Sequence, residues 1–179
     1  MDLFKKYKIK ILENAFSYVV VLAMLIYGFG KIVQFTGAAS TPLRVSEMTG
    51  MQLMWAFYGY SKPFVYTIGA LEVIGGILLL FNRTRIIGCL FVSTILINII
   101  LQDIFYEVNK GALRAAIFYQ VLIVLILYFN RSKLVATWKL LTQKVDKPRS
   151  LKESLLVFFI TAMLFVLVRI VEYYLTSKW

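Results

Sequence analysis

The sequence predicts an all-α membrane protein, a five-transmembrane helix bundle forming one domain over 1–179, and three observations carry that expectation. The first is composition: 60% of the 179 residues are hydrophobic and 16% charged, with a mean hydropathy of +0.78, more apolar than an ordinary soluble domain. The second is run length. Buried strands would give apolar runs of about four to eight residues, whereas a helix rising about 1.5 Å per residue needs roughly 20 to cross a hydrocarbon core of about 30 Å. Five runs meet that length, and none alternates in polarity as a β-barrel strand would. The third is the placement of the 20 Lys and Arg residues. Thirteen fall on one side of the predicted membrane: Lys5, Lys6, Lys8 and Lys10 before the first run, Arg83 and Arg85 between the second and third, and Arg131, Lys133, Lys139, Lys144, Lys147, Arg149 and Lys152 between the fourth and fifth. Only Arg44, Lys62, Lys110, Arg114 and Lys178 fall on the other. The positive-inside rule then puts the N-terminus in the cytoplasm and the C-terminus outside. A net charge of +11 is accounted for in this way, and membrane lipid rather than nucleic acid is the expected partner.

Taken in order, the first span covers residues 14–34. It follows a basic stretch and precedes Gly37-Ala38-Ala39-Ser40, so it has the outline of a signal peptide, but the run is long for a signal core and reads as an uncleaved signal anchor. The outer segment that follows holds a Trp- and Tyr-rich stretch, residues 48–60, expected to be a short interfacial or partly re-entrant helix. There Trp55, Tyr58 and Tyr60 would anchor at the headgroup boundary or face a partner, with a lid as the alternative. The second, third and fourth spans cover 63–81, 85–105 and 112–130. A basic cytoplasmic loop over 131–153, containing Pro148, leads to the fifth span at 154–175. No fixed-period repeat stands out, so nothing points to an inverted-repeat transporter.

Whole classes of chemistry are absent from the composition. The chain has no His, and Cys89, inside the third span, is its only Cys. A haem held by His, a Cys-ligated iron–sulfur cluster, a Cys and His zinc site and an internal disulfide pair are therefore not expected, nor are Ser-His or Cys-His nucleophiles. Any redox step must use a diffusible carrier or a partner. Cys89 reads as a small buried apolar residue.

Charged side chains inside a span cost about 2.5–3.5 kcal/mol each on insertion scales and mark functional sites by default. Five are expected there: Lys31, Glu72, Asp103, Arg169 and Glu172. With Gln34, Asn98, Gln102 and Gln120 they occupy the middle and outer depths, and no charge is expected in the inner half of any span. Such an asymmetry predicts a polar cavity open to the outside. Gly69, Glu72 and Gly76 stand at i, i+3 and i+7, which points Glu72 into the bundle from a stripe of small residues. The carboxylate is then protonated, paired with Lys31 or Arg169, or hydrated. Asn98 and Gln102 share a face at i, i+4, with Asp103 about 100° from Gln102 and nearer a helix edge. Arg169 and Glu172 stand at i, i+3 and either pair with each other or serve a ligand.

Several of these residues carry a family resemblance. Trp55-Ala-Phe-Tyr-Gly-Tyr-Ser61, then Gly69-Ala-Leu-Glu72-Val-Ile-Gly75-Gly76-Ile-Leu-Leu-Leu-Phe-Asn-Arg83-Thr84, then Gly88, Asn98 and Asp103-Ile-Phe-Tyr106-Glu107-Val108 resemble the DoxX family of small bacterial membrane proteins over about residues 15 to 130. The resemblance implies a four-helix membrane bundle in the bacterial inner membrane, associated with redox systems such as thiosulfate:quinone oxidoreductase or with thiol and oxidative-stress partners. Glu72, Gly76, Arg83, Asn98 and Asp103 fall on family positions, while the fifth span with Arg169 and Glu172 departs from the usual four helices.

The leading expectation is an accessory membrane subunit, not catalytic by itself, whose outward polar pocket takes a quinone, a lipid headgroup or a membrane or extracytoplasmic protein partner. Lys31, Glu72, Asn98, Gln102, Asp103, Arg169 and Glu172 are its candidate residues. The alternatives are a proton-coupled transporter using Glu72, disfavoured by the apolar inner halves, and a structural docking subunit.

Overall fold

A computed structural model describes residues 2–143 and 150–177. Seven α-helices and two short 3-10 turns make up the described residues, without a strand. The helices are α1 (Asp2–Gln34), α2 (Gly50–Tyr60), α3 (Lys62–Leu80), α4 (Arg85–Phe105), α5 (Lys110–Phe129), α6 (Arg131–Leu141) and α7 (Leu151–Thr176). Five helical stretches, those of α1, α3, α4, α5 and α7, are long and apolar enough to cross a membrane. The chain divides into two compact units, Met1–Ala136 and Thr137–Trp179.

The first unit is a ring of four helices in which α1 packs on α3, α3 on α4, α4 on α5 and α5 on α1. Successive helices run in opposite directions. Ser17 donates to the Leu79 carbonyl near the middle of α1, and Lys31 meets Glu72 near its end; Phe16 stacks on Phe129 and Tyr27 lies against Tyr119. The helix ends are specified locally. Thr49 forms a capping box with Gln52 at the start of α2, and Asn109 accepts from the Gly111 and Ala112 amides at the start of α5. Pro63 sits in the first turn of α3, where its missing amide hydrogen is not needed.

Two helices that face each other across the ring carry stripes of identical spacing, buried except for the partly exposed Lys31. On α1 the stripe is Glu13, Ser17, Val20, Met24 and Lys31; on α4 it is Arg85, Cys89, Val92, Leu96 and Asp103. Each stripe therefore has an apolar middle and a charged residue at both ends. The middles, with Leu79, Ile123 and Ile126, form a dry core that is essentially free of solvent. This plug separates two polar regions at opposite ends of the bundle.

The region at the Glu13 end is polar where α4 begins. Arg85, counted from sequence among the loop cations, is 1% exposed. Its guanidinium donates to Glu13 at 3.1 Å, to Asn14 at 2.8 Å and to the Leu79 carbonyl at 3.2 Å. The cause is local: α3 ends with carbonyls that lack helical partners, and Arg85 turns back over them at the start of α4. Asn130, also buried, closes the same end from α5 and donates to the Ile126 carbonyl.

The basic segment is likewise not a loop throughout, because residues 131–141 form α6. Straight-chain Arg, Lys and Leu with Ala favour helix, and Arg131 lies 4.7 Å over the Tyr128 ring. Lys144, Lys147, Pro148 and Arg149 of that segment, and Lys178, lie outside the described residues. In the second unit, Ser150 and Glu153 form the capping box that opens α7, and no residue of α7 is buried.

Candidate functional site

At the far end of the first unit, α1, α2, α3, α4 and α5 enclose a cavity of about 440 Å³. Its position follows from a close helix crossing. A Cβ placed on Gly69 would lie 2.5 Å from the Gly28 carbonyl oxygen and 3.1 Å from Lys31 Cβ, so only glycine lets α3 approach α1 there. The stripe of small residues read from sequence is thus buried, and Glu72 in its middle has no solvent exposure. Lys31 Nζ reaches within 3.3 Å of Glu72 Oε1, close enough for charge attraction but not aligned as a hydrogen bond, and neither Glu72 oxygen has a hydrogen-bond partner. Lys31 therefore stands beside Glu72, the neighbour that the paired state requires.

Asp103 departs from its expected place near a helix edge. It closes the buried stripe of α4, is 7% exposed, and its Oδ2 has no hydrogen-bond partner. Asn98 and Gln102 share a face as expected: Gln102 donates to Asn98, which is exposed at the rim. The Tyr58 hydroxyl lies against the Gln102 amide, 2.9 Å from its oxygen and 2.7 Å from its nitrogen. Burial pushes the Tyr58 hydroxyl above the ordinary phenol range, which keeps it a neutral donor and acceptor.

The α2 segment is helical, as its residues predict, yet its aromatics divide differently from a simple headgroup anchor. Tyr60 is 87% exposed, but Trp55 and Tyr58 turn inward onto buried Phe35, with ring centroids 5.4 Å and 5.0 Å away. Trp55 Nε1 is buried without a hydrogen-bond partner. At its first residue α2 presses on the end of α4 so closely that a side chain at Gly50 would overlap the Tyr106 carbonyl. The helix is therefore one wall of the cavity.

Lys31, Glu72, Asn98, Gln102 and Asp103 are brought together, while Arg169 and Glu172 pair with each other on exposed α7 in the second unit. Tyr27, Phe35, Asn109 and Tyr119 also line the cavity and were not singled out from sequence. Their signal was available, since Tyr27 precedes Lys31 by one helical turn. Gln120 instead donates to Ser93 at 2.7 Å and ties α5 to α4.

The chain is similar to the uncharacterised protein YwoB of Bacillus subtilis (strain 168), with 27% identity over 116 residues that cover 64% of this chain and 73% of the relative. No protein-family profile and no solved structure matches it. A second hollow of about 540 Å³, which also uses α2, is lined by Val45, Leu53, Phe57 and Phe64 among others and contains no charged side chain. The Glu72 cavity combines an apolar lining with convergent buried polar groups, the usual composition of a small-molecule site.

Proposed function

We propose that this chain is a multi-pass membrane protein that binds the polar head of a small amphiphile, a quinone or a lipid headgroup, in the Glu72 cavity. The observation that carries this reading is the cavity itself, where buried Glu72 and Asp103, Lys31 and the Tyr58–Gln102–Asn98 chain converge among aromatic side chains. The lengths and hydropathies of α1, α3, α4, α5 and α7 support five membrane crossings, and the inner membrane belongs to the proposal. The basic flanks put the N-terminus and α6 in the cytoplasm, so the cavity opens toward the outside. On this reading α7 is surrounded by lipid or a partner, and the protein is an accessory subunit, not catalytic by itself. A redox association and a DoxX-like identity rest on the motif around Glu72 and are part of the same proposal.

Transport is the weaker reading because the buried cluster between the cavity and the Arg85 end is apolar and holds no charged side chain, with Ser17 and the Gln120–Ser93 pair as isolated polar contacts beside it.

Mass spectrometry of gently extracted protein tests the proposal: a bound amphiphile is expected, and it should be depleted in Asn98→Ala and Tyr58→Phe. Empty wild-type protein with no measurable affinity for added quinol analogues or lipids would refute it. Orientation is tested in a Cys89→Ala background. An impermeant maleimide should label Ser46→Cys in intact spheroplasts but Lys8→Cys only after lysis, both positions being exposed.

A further inference from the structure

Three buried acceptor atoms face the cavity without hydrogen-bond partners: both oxygens of Glu72, and Oδ2 of Asp103. Against them stands one unpartnered donor, Trp55 Nε1. Among the described residues, the charged side chains lining the cavity are Glu72, Asp103 and Lys31, so two carboxylates share one cation. Buried carboxylates are satisfied by charge and by donated hydrogen bonds. A ligand with acceptors alone, such as a quinone ring, would leave these oxygens unmatched. The walls between them carry the rings of Tyr27, Phe35, Trp55, Tyr58 and Tyr119, and aromatic faces attract a desolvated cation.

We propose that the occupant of the Glu72 cavity presents an ammonium group, which supplies the missing positive charge and donates to Asp103 and Glu72, with its apolar part against the aromatic wall. This rests on the amphiphile-binding reading and specifies its ligand class. The ammonium is carried either by a phosphatidylethanolamine headgroup or by a free alkylamine. Trp55 Nε1 is then the donor for an acceptor atom next to the ammonium, such as a phosphate ester oxygen.

The test uses the full chain in dodecyl maltoside, titrated with octylammonium, octanol and octanoate. Octylammonium should bind at least tenfold more tightly than octanol, and Asp103→Asn should remove that preference while keeping gel-filtration profile and helix content. If Asp103→Asn does not fold, the comparison on the wild-type chain still decides. Octanol or octanoate binding as tightly as octylammonium overturns the ammonium assignment and leaves the cavity reading intact. Failure of all three probes, with no amphiphile in the extracted protein, overturns both. To separate the sources, octylammonium is titrated with phosphatidylethanolamine or phosphatidylglycerol added. Competition by the former alone identifies a lipid headgroup, and equal weak effects identify a free amine.

Discussion

Replacing Glu13 with Leu removes one partner from a guanidinium that is 1% exposed and should be among the most damaging single changes in the bundle. Breaking a buried pair by deleting one member costs about 3–5 kcal/mol. Arg85 would keep Asn14 at 2.8 Å and the Leu79 carbonyl at 3.2 Å, which places the expected loss at the lower end, about 3 kcal/mol. Arg85→Met should also destabilise, because Glu13 would lose its nearest cation and keep Asn130 and the more distant Lys10, 3.6 Å away. In the double variant both charges are gone, and the Leu79 carbonyl still accepts from Ser17 at 2.8 Å. Its cost should fall to about 1 kcal/mol, that of one lost hydrogen bond. Reversible SDS unfolding of the detergent-solubilised protein, followed by circular dichroism, measures all three. A double variant as costly as the two singles combined would refute the reasoning, as would a Glu13→Leu change within about 0.5 kcal/mol of wild type.

Gly69→Leu should cost about 1–3 kcal/mol by overpacking and abolish amphiphile binding, since its Cβ would meet the Gly28 carbonyl and Lys31. Gly30→Ala, which has open space around the new Cβ, is the control and should leave binding unchanged without lowering thermal stability. Tyr58 gives an alkaline signature. Its folded value lies above the unfolded one, so its contribution is complete below about pH 10 and is lost as pH rises through the folded value. Tyr58→Phe should flatten that part of the stability profile measured by thermal denaturation.

The long helices were legible because length and hydropathy are local properties. The inward position of Glu72 was legible too, because Gly69 and Gly76 flank it at helical spacing. Arg85 was misread for a definite reason: a cation next to a turn looks the same whether it faces solvent or folds back over the carbonyls of the preceding helix. A signal existed in the matching Glu13 and Arg85 stripes, but recognising it requires knowing that α1 and α4 face each other. Trp55 and Tyr58 were placed at a headgroup boundary by composition, and only the contact of α2 with Phe35 and Tyr106 turns them inward. Asp103 was assigned to an edge by its angle from Gln102, whereas the stripe from Arg85 places it on the buried face.

The paired stripes also act as a gauge. From Glu13 to Lys31, and again from Arg85 to Asp103, the chain advances 18 residues, about 27 Å of helix, with only uncharged side chains in the stripe between. In a bilayer whose hydrocarbon core is close to that thickness, all four charges sit at the edges of the oily layer. A thicker membrane would draw lipid tails over Lys31 and Asp103 at the mouth of the cavity, and a thinner one would bring water toward them. If the cavity takes an amphiphile as proposed, its occupancy should vary with acyl-chain length, through a distance that the bundle itself holds constant.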